Sequence, residues 1–265
     1  MSSSRPAPDP IDPAALCAAG IATVEILAET GSTMERAREL AADPVRPLPA
    51  VVIAERQTAG RGRRGAHWWQ SPGSLAASLV LEAGGGPPPT WSLACGVALA
   101  ETLRELEPAA RACVRWPNDV EVEGRKLAGI LVEVVAAGRV VFGIGVNTAG
   151  TAAAAPPALV RRVATMPDIV GRSLPRGRLL ETFVPRLRGL LAALATDPAA
   201  LHARYQPLCG LTGRRVAVHL GHERHEGVCL GIASSGALVL DTAAGPMQFV
   251  SGSLTDPADV WRGDG

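Results

Sequence analysis

The sequence predicts a mixed α+β domain followed by a small β-barrel. Up to about residue 207, strand-like runs alternate with stretches of helical period, and beyond Leu208 only short strands and turns follow. The chain has 265 residues, of which 47% are hydrophobic, so it exceeds one typical domain of about 100 to 200 residues and can bury a large core. These observations favour one large domain and one small one.

Four segments have the length or the period of a helix. The apolar face is clearest in the second, where Leu93, Val97 and Leu103 recur at helical spacing. In the third segment Pro185 predicts a kink or a division, because proline cannot donate the helical hydrogen bond. The four predicted helices cover residues 32–42, 91–106, 177–196 and 198–206.

Five segments of the first domain predict strands. They cover residues 50–55, 75–82, 111–116, 127–135 and 140–147. The last two flank Ala136-Ala137-Gly138-Arg139, a connection suited to an antiparallel hairpin. The runs GGGPPP at 84–89 and AGTAAAAPPA at 149–158 predict loops without regular structure.

The second domain is predicted from the strand segments RRVAVHLG, HEGVCLGI, ALVLDT and PMQFVSG. The head of the chain, MSSSRPAPDPIDP, has no apolar period. We therefore expect a flexible tail over residues 1–20, a main domain over 21–207 and the barrel over 208–262.

Composition excludes several classes of protein. The net charge of +1 argues against a nucleic-acid binder that depends on overall charge. The five cysteines form no C-x-x-C pair, so neither a disulfide framework nor a zinc site is indicated. The head has no signal-peptide pattern, and no stretch has the length and apolar character of a membrane span. A cytoplasmic protein without membrane contact is expected.

The stretch GRGRRG at 60–65 has the spacing of a dinucleotide-binding turn but lacks its context. No helix follows Gly65, since AHWWQSPGS contains Pro72 and Gly73, and no Gly-Lys-Ser/Thr indicates a P-loop. Glycines let backbone amides approach an anion, and arginine forks match carboxylate and phosphate oxygens. The loop therefore predicts an anion grip, with a solvated surface turn as the alternative.

A second informative stretch is RWPNDVEVEGRKLAGILVEV at 115–134. Trp116-Pro117 ends one strand, Asn118-Asp119 makes a turn, and Lys126 enters the next apolar strand. Strand periodicity explains the valines and leucines but does not require these polar residues together at a sheet end. Taken alone, Lys126 would more often be a solvated lysine, and Asn118-Asp119 an ordinary turn.

Together these motifs resemble those of the biotin protein ligases. The resemblance rests on QTAGRGRRG with Trp68, WPND at 116–119, RKLAGILVE at 125–133, GIGVN at 143–147 and GSTM at 31–34. It implies the mixed, largely antiparallel sheet of that family and an SH3-like barrel. It also implies that biotin and ATP, with Mg²⁺, form biotinyl-5′-AMP, from which biotin passes to a lysine of a biotin carboxyl carrier protein.

The resemblance also implies site residues. Those implied to bind biotin are Ser32, Thr33, Met34, Gln57, Arg61, Gly62, Arg63 and Lys126. Those implied to bind ATP or the adenylate are Gly60, Arg61, Arg63, Trp68, Asn118, Lys126 and Asn147. The implied catalytic residues are Arg63, Lys126 and Asp119, the last facing the acceptor lysine or a metal; the metal ligands stay open.

Some positions have competing accounts or depart from the family. Ser32 with Glu35 also forms a helix capping box. Met34 stands where the family often has asparagine, and Arg115 replaces a frequent lysine. Gln57 and Asn147 would serve equally well as polar residues at strand ends.

Three rival functions remain at this point. A lipoate ligase or octanoyltransferase shares the fold, a non-enzymatic sensor would bind biotin or biotinyl-AMP without turnover, and an RNA-binding module would use the arginine loop. Near-neutral charge and 3% aromatic residues disfavour the last. The head is too short for a helix-turn-helix module, so DNA binding is not expected. A homodimer is compatible with the sequence.

Overall fold

The structure, a computed structural model, describes residues 9–82, 90–135, 138–197 and 199–255. Within these ranges the helices are α1 Pro13–Ala18, α2 Thr33–Ala42, α3 Thr90–Leu106, α4 Met166–Val170, α5 Arg176–Thr196 and α6 Ala199–Tyr205. The strands of the first part are β1 Thr23–Thr30, β2 Ala50–Gln57, β3 Leu75–Glu82, β4 Cys113–Arg115, β5 Asp119–Val122, β6 Arg125–Val135 and β7 Arg139–Val146. Those of the second are β8 Arg215–Leu220, β9 Glu223–Ile232, β10 Leu238–Thr242, β11 Gly245–Phe249 and β12 Ser253–Thr255.

The larger sheet has the order β1-β2-β3-β7-β6-β5-β4. Strands β1 and β2 are parallel, and the other neighbouring strands are antiparallel. The sheet is therefore mixed and largely antiparallel, as predicted. The predicted hairpin is formed by β6 and β7, with Val135 opposite Arg139, while residues 136–137 of its connection lie outside the described residues.

Helices cover both faces of this sheet because its strands alternate in what they present to each side. In β2, Val51 and Ile53 belong to the main core with α3 and α5, whereas Val52 belongs to a second cluster under α2. Helix α2 begins at Ser32, whose hydroxyl accepts the backbone N–H of Met34. It contributes the buried residues Met34, Ala37, Leu40 and Ala41 to the second cluster.

The C-terminal strands form a five-stranded antiparallel sheet with the order β11-β10-β9-β8-β12. Closure of this sheet into an SH3-like barrel stays a prediction. Segments next to this sheet contact the first part of the chain. Cys209, before β8, forms an isolated bridge with Val114, and the carbonyl of Gly236, between β9 and β10, accepts the Trp116 indole N–H over 3.1 Å.

The expectation of a flexible tail over residues 1–20 is wrong for its described part. Residues 13–18 form α1, capped by the Asp12 carboxylate, and Asp9 pairs with the fully buried Arg176. The ion pair between Asp9 and Arg176 fixes the start of this segment, which the apolar pattern of the sequence does not indicate. The polar edge strand β1 was not predicted at all.

Two further sequence predictions need correction. Pro185 lies inside α5 without dividing it, and the residues Phe183, Val184 and Leu187 on both sides of it are buried in the core; a kink at this proline stays a prediction. The alanine-rich stretch after Gly150 contains a single 3₁₀ turn at Ala152–Ala154, capped by the Thr151 hydroxyl. The predicted loop at 84–89 lies outside the described residues.

Candidate active site

A cavity of about 350 Å³ opens beside the N-terminal end of α2, on the same face of the large sheet. Strands β6 and β7 supply its floor, the loop at 60–68 covers it, and residues 252–254 of the C-terminal sheet reach its rim. Three elements distant in sequence therefore meet at one opening.

The floor is built from glycines because nothing larger fits. A Cβ on Gly143 would lie 2.6 Å from the Met34 sulfur, and one on Gly145 would lie 2.4 Å from the Trp68 indole. Gly129, paired with Gly145 across the two strands, would bring a Cβ to 3.0 Å from the same indole. The glycines thus let the Met34 and Trp68 side chains lie directly on the sheet.

A polar cluster occupies the end of the cavity nearest α2. The Gln57 amide oxygen accepts the backbone N–H of Thr33 over 2.9 Å and its hydroxyl over 3.2 Å. The Ser78 hydroxyl in turn donates to the Thr33 hydroxyl oxygen over 2.8 Å. Because Ser78 and Thr33 are buried, this cluster fixes the direction in which the Gln57 amide points.

Ser32 lies in the cavity lining but already has a structural role. Its hydroxyl accepts the Met34 N–H over 3.3 Å as the N-cap of α2, while Glu35 pairs with Arg61 over 3.2 Å. The structure thus supports the capping account of Ser32, and the hydroxyl hydrogen is left for another partner. Met34 packs its thioether in the core, so this position supplies an apolar wall.

The arginine loop is a short folded ribbon. Gly62 N–H donates to the Ala66 carbonyl over 2.6 Å, and Trp68 N–H donates to the Gly60 carbonyl over 2.9 Å. Arg64, at the tip, has the left-handed backbone angle φ of 55°. The ribbon directs its arginines to different sides, so the three charges are spread apart.

Arg63 points into the cavity, where its Nη1 donates to the Asn118 side-chain oxygen over 3.3 Å. Burial lowers the pKa of its guanidinium, the neighbouring Arg64 lowers it further, and Asp119 opposes both. The group stays charged at neutral pH, since arginine titrates far above that range. A partly buried cation of this kind favours an anionic ligand.

Lys126 reaches the cavity because of a β-bulge. The pairing of β5 with β6 shifts between Val120 and Glu121, so that Lys126 and Gly129 present their side chains to the same face. Its Nζ lies 2.7 Å from Asp119 Oδ1 and 5.6 Å from the centroid of the Trp68 ring. The bulge thereby directs the Lys126 ammonium into the cavity, where the side chain stays partly exposed.

The backbone of this lysine is fixed by the segment after β7. Lys126 N–H donates to the Arg162 carbonyl, and its own carbonyl accepts the Ala164 N–H, each over 2.8 Å. Asn118 is fixed as well, since its side-chain nitrogen donates to the Ile130 carbonyl over 2.9 Å. Both side chains therefore start from rigid positions, which catalytic groups require.

The structure brings most of the predicted site residues together. The predicted residues that line the cavity are Ser32, Thr33, Met34, Gln57, Arg61, Gly62, Arg63, Trp68, Asn118, Asp119 and Lys126. Gly60 lies behind them and supports the Trp68 backbone. Asn147 does not line the cavity: it is buried, and its amide donates to the Ala164 carbonyl over 3.1 Å.

Sequence reasoning missed the contribution of the C-terminal sheet. Gly252, Ser253 and Leu254 line the cavity, and Arg64 Nη1 donates to the Ser253 hydroxyl over 2.5 Å. No motif marks these residues, and the contact spans most of the chain. Gly252, just before Ser253, has a backbone φ of 147°, which favours glycine, so the glycine itself is the local feature of the sequence at this point.

The described residues contain no group of three or more acidic, histidine or cysteine side chains that could hold a metal ion. Asp119 is the only carboxylate among the described residues of the lining. Enzymes often hold Mg²⁺ through one or two carboxylates and the phosphates of the substrate, and Asp119 could supply such a carboxylate.

One further property concerns membranes. Among the helices in the described ranges, none combines the length and the apolar composition that a membrane span requires.

Known proteins are similar to this chain in sequence and in fold. Residues 30–148 match the model of the Biotin/lipoate A/B protein ligase family. The biotin--[acetyl-CoA-carboxylase] ligase of Paracoccus denitrificans is 35% identical over 83% of this chain and 95% of its own length. The enzyme of the same name from Mycobacterium tuberculosis is 31% identical over 87% of this chain and 88% of its own.

A solved structure agrees with these sequence relatives. The biotin protein ligase from Aquifex aeolicus in complex with biotin and ATP superposes with a TM-score of 0.78. It is 25% identical, and the match covers 88% of this chain and 97% of that one. With a glycine-floored cavity, an arginine loop and these relatives in agreement, the chain belongs to the biotin protein ligase family.

Proposed function

We propose that the protein is an ATP-dependent ligase that activates biotin as biotinyl-5′-AMP and joins it to a lysine of a biotin carboxyl carrier protein. The observation that carries this function is the meeting of Arg63 and Lys126 with the Thr33–Gln57 pair in one cavity, where the buried Ser78 supports Thr33 from behind. A site that joins a carboxylate to a phosphate must hold two anions close together. The two cations provide the charge for that task.

The polar cluster suits the uncharged end of biotin. The biotin ureido group offers one carbonyl acceptor and two N–H donors, so it needs both kinds of partner. Hydroxyls such as those of Ser32 and Thr33 can donate or accept, and the Gln57 amide has both functions. The Met34 thioether, which lies on the backbone of Gly143, gives the fused rings an apolar surface.

In the first step, a biotin carboxylate oxygen forms a bond to the α-phosphorus of ATP. The bond from that phosphorus to the bridging oxygen breaks, and pyrophosphate leaves. Negative charge gathers on the phosphoryl oxygens, where Arg63 and Lys126 stabilise it. Because Asp119 holds Lys126 near the opening before ATP arrives, the ammonium exchanges a carboxylate partner for a phosphate.

In the second step, the neutral amine of the acceptor lysine attacks the acyl carbon of biotinyl-5′-AMP. The bond from that carbon to the phosphate oxygen breaks, AMP leaves, and the amine loses a proton. Asp119 is the carboxylate positioned to accept that proton once Lys126 engages the phosphate. The same residue would thus serve as ion-pair partner and then as base.

ATP requires a surface for adenine and a counterion for its phosphates. Trp68 lines the cavity with a half-buried indole, so it can serve as an aromatic wall for adenine. Mg²⁺ would arrive with the phosphates, and the Asp119 and Asn118 oxygens would be its nearest protein ligands. Homodimer formation and the absence of DNA binding stay predictions.

The decisive experiment mixes the protein with ATP, Mg²⁺, labelled biotin and a biotin carboxyl carrier domain. Label should appear on the carrier, and pyrophosphate should be released in equal amount. A parallel reaction with labelled lipoate identifies a lipoate ligase, which would label its carrier there instead. Bound biotin without pyrophosphate release would identify a sensor and overturn the proposal.

A further inference from the structure

The tip of the arginine loop is attached to the other end of the chain. Arg64 Nη1 donates to the Ser253 Oγ over 2.5 Å, although 189 residues separate the two positions. Arg64 adopts a left-handed backbone, with a φ of 55°, which a residue with a side chain seldom holds without support. The hydrogen bond to Ser253 is therefore made by the residue of the loop that has this unfavourable backbone conformation.

Ser253 is a rigid anchor. Strand β12 pairs with β8, where Ser253 lies opposite His219, and the His219 ring Nε2 lies 2.9 Å from the Thr255 hydroxyl. Gly252, just before the strand, packs so closely that a Cβ there would lie 2.7 Å from a methyl of Val218. The backbone that carries the Ser253 hydroxyl is thus held on both sides, whereas its partner Arg64 belongs to a loop with three glycines.

We infer that Ser253 is a positioning residue for the proposed reaction: by holding Arg64 it fixes the arginine loop and so places Arg63 over the ligand. The inference rests on the proposed function. Arg63 and Arg64 are neighbours of like charge, and Arg64 lowers the pKa of Arg63. All three loop arginines line the cavity, but Arg61 is paired with Glu35 and Arg64 is bonded to Ser253, so Arg63 is the one that lies beside Asn118. The C-terminal sheet is then part of the active site.

The main test compares Ser253→Ala with Ser251→Ala, which makes the same change at an exposed position two residues earlier. Ser253→Thr restores a hydroxyl in a strand that tolerates a β-branched residue. We expect three effects from Ser253→Ala that Ser251→Ala does not show. Amide hydrogen exchange at 61–67 should become faster, and preformed biotinyl-5′-AMP should be released about tenfold faster, the factor that corresponds to losing one ordinary hydrogen bond. The KM for ATP should rise more than kcat falls. Ser253→Thr should behave like the parent protein.

A double-mutant cycle identifies the partner. If the two side chains act together, Arg64→Gln combined with Ser253→Ala should release the adenylate no faster than the worse single variant. Additive effects, or a Ser253→Ala variant that matches Ser251→Ala in exchange and release, would overturn the inference. Should Ser253→Ala lose its thermal transition, the Arg64→Gln and Ser253→Thr variants decide the question with the same two measurements.

The result is distinguishable from a failure of the proposed function. If the parent protein makes no adenylate from biotin and ATP, the function is wrong, whatever the Ser253 variants show. Hydrogen exchange at 61–67 in the ligand-free parent and Ser253→Ala proteins tests the anchor independently of any turnover.

Discussion

Lys126 Nζ and Asp119 Oδ1 lie 2.7 Å apart across the β5–β6 pairing, at the point where its register shifts. Without the bulge, Lys126 and Gly129 would fall on opposite faces of the strand, and the ammonium would leave the cavity. The bulge therefore decides that a catalytic cation and a carboxylate share the site. Since both groups are partly exposed, phosphate oxygens can compete for the lysine.

Lys126→Ala should slow adenylate formation far more than it weakens biotin binding. The ammonium acts mainly on charge that appears as the carboxylate attacks phosphorus, so its loss should raise the barrier by about 2 to 4 kcal/mol. Single-turnover formation of biotinyl-5′-AMP measures the rate, and calorimetry measures biotin affinity. Arg125→Ala, which removes the neighbouring cation paired with Glu123, is the control. A near-normal adenylation rate in Lys126→Ala would contradict the assignment.

Arg63→Gly should let the adenylate escape into solution. Biotinyl-5′-AMP and its phosphate lose their buried guanidinium partner, and the freed reagent should biotinylate bystander lysines without carrier selectivity. Labelling of an added inert protein measures the leak. Arg111→Gly is the control, because Arg111 is exposed and does not line the cavity. Equal bystander labelling by both variants would show that the loop is only a surface turn.

The loop should also become more ordered when ligand binds. Three like charges repel one another, and biotinyl-5′-AMP supplies the missing anion. Amide exchange at 60–70 should therefore slow markedly in the presence of the adenylate, while exchange in α5, which contributes no residue to the cavity lining, should not change. Equal protection of the loop with and without adenylate would rule out this ordering.

Gly145→Ala should weaken adenylate binding. The new methyl would lie 2.4 Å from the indole of Trp68, which must move off the sheet, and overpacking of this kind costs about 1 to 3 kcal/mol. We expect about tenfold or greater weakening, measured by equilibrium binding of biotinyl-5′-AMP. Gly189→Ala is the matched control. Gly189 lies at an exposed position of α5, where an added Cβ would have no neighbouring atom within 4 Å, so this variant should keep full affinity. Unchanged affinity in Gly145→Ala would mean that Trp68 takes no part.

Gln57→Ala should reduce biotin affinity by about 1 to 3 kcal/mol. The substitution removes a ligand partner and leaves Thr33 N–H and hydroxyl without their acceptor, so buried donors lose a hydrogen bond. Titration calorimetry with biotin measures the change. Gln248→Ala, on the exposed side of β11, controls for loss of an amide. If both variants bind biotin equally, the cluster is structural only.

Much of the fold follows from local pattern. The β6–β7 hairpin, α2 with its Ser32 cap and the buried α3 are each specified by periodicity and by turn or cap residues within a short window. The arginine loop and the WPND segment also predict many of the residues that line the cavity, because each motif concentrates polar and charged side chains in a few positions. For Asn147, a polar residue at a strand end, the sequence offered two accounts. Its amide holds the Ala164 carbonyl in the structure, away from the cavity lining.

The rest depends on contacts between distant residues. Strand β1 is too polar to be marked by its own pattern and forms because it pairs with β2. The order around Asp9 comes from Arg176, which is fully buried and also bonded to Glu55. The bulge that aims Lys126 and the attachment of Arg64 to Ser253 are likewise set by tertiary packing, for which no short motif exists.

The place of β12 in the cavity wall has a consequence for how the protein is made. A ribosome delivers the arginine loop, Lys126 and the glycine floor well before residues 252–254, and β12 can pair with β8 only after both have emerged. Until then one side of the cavity lacks the residues that form its wall. The wall of the cavity that β12 forms is therefore completed after the arginine loop, Lys126 and the glycine floor have been synthesised.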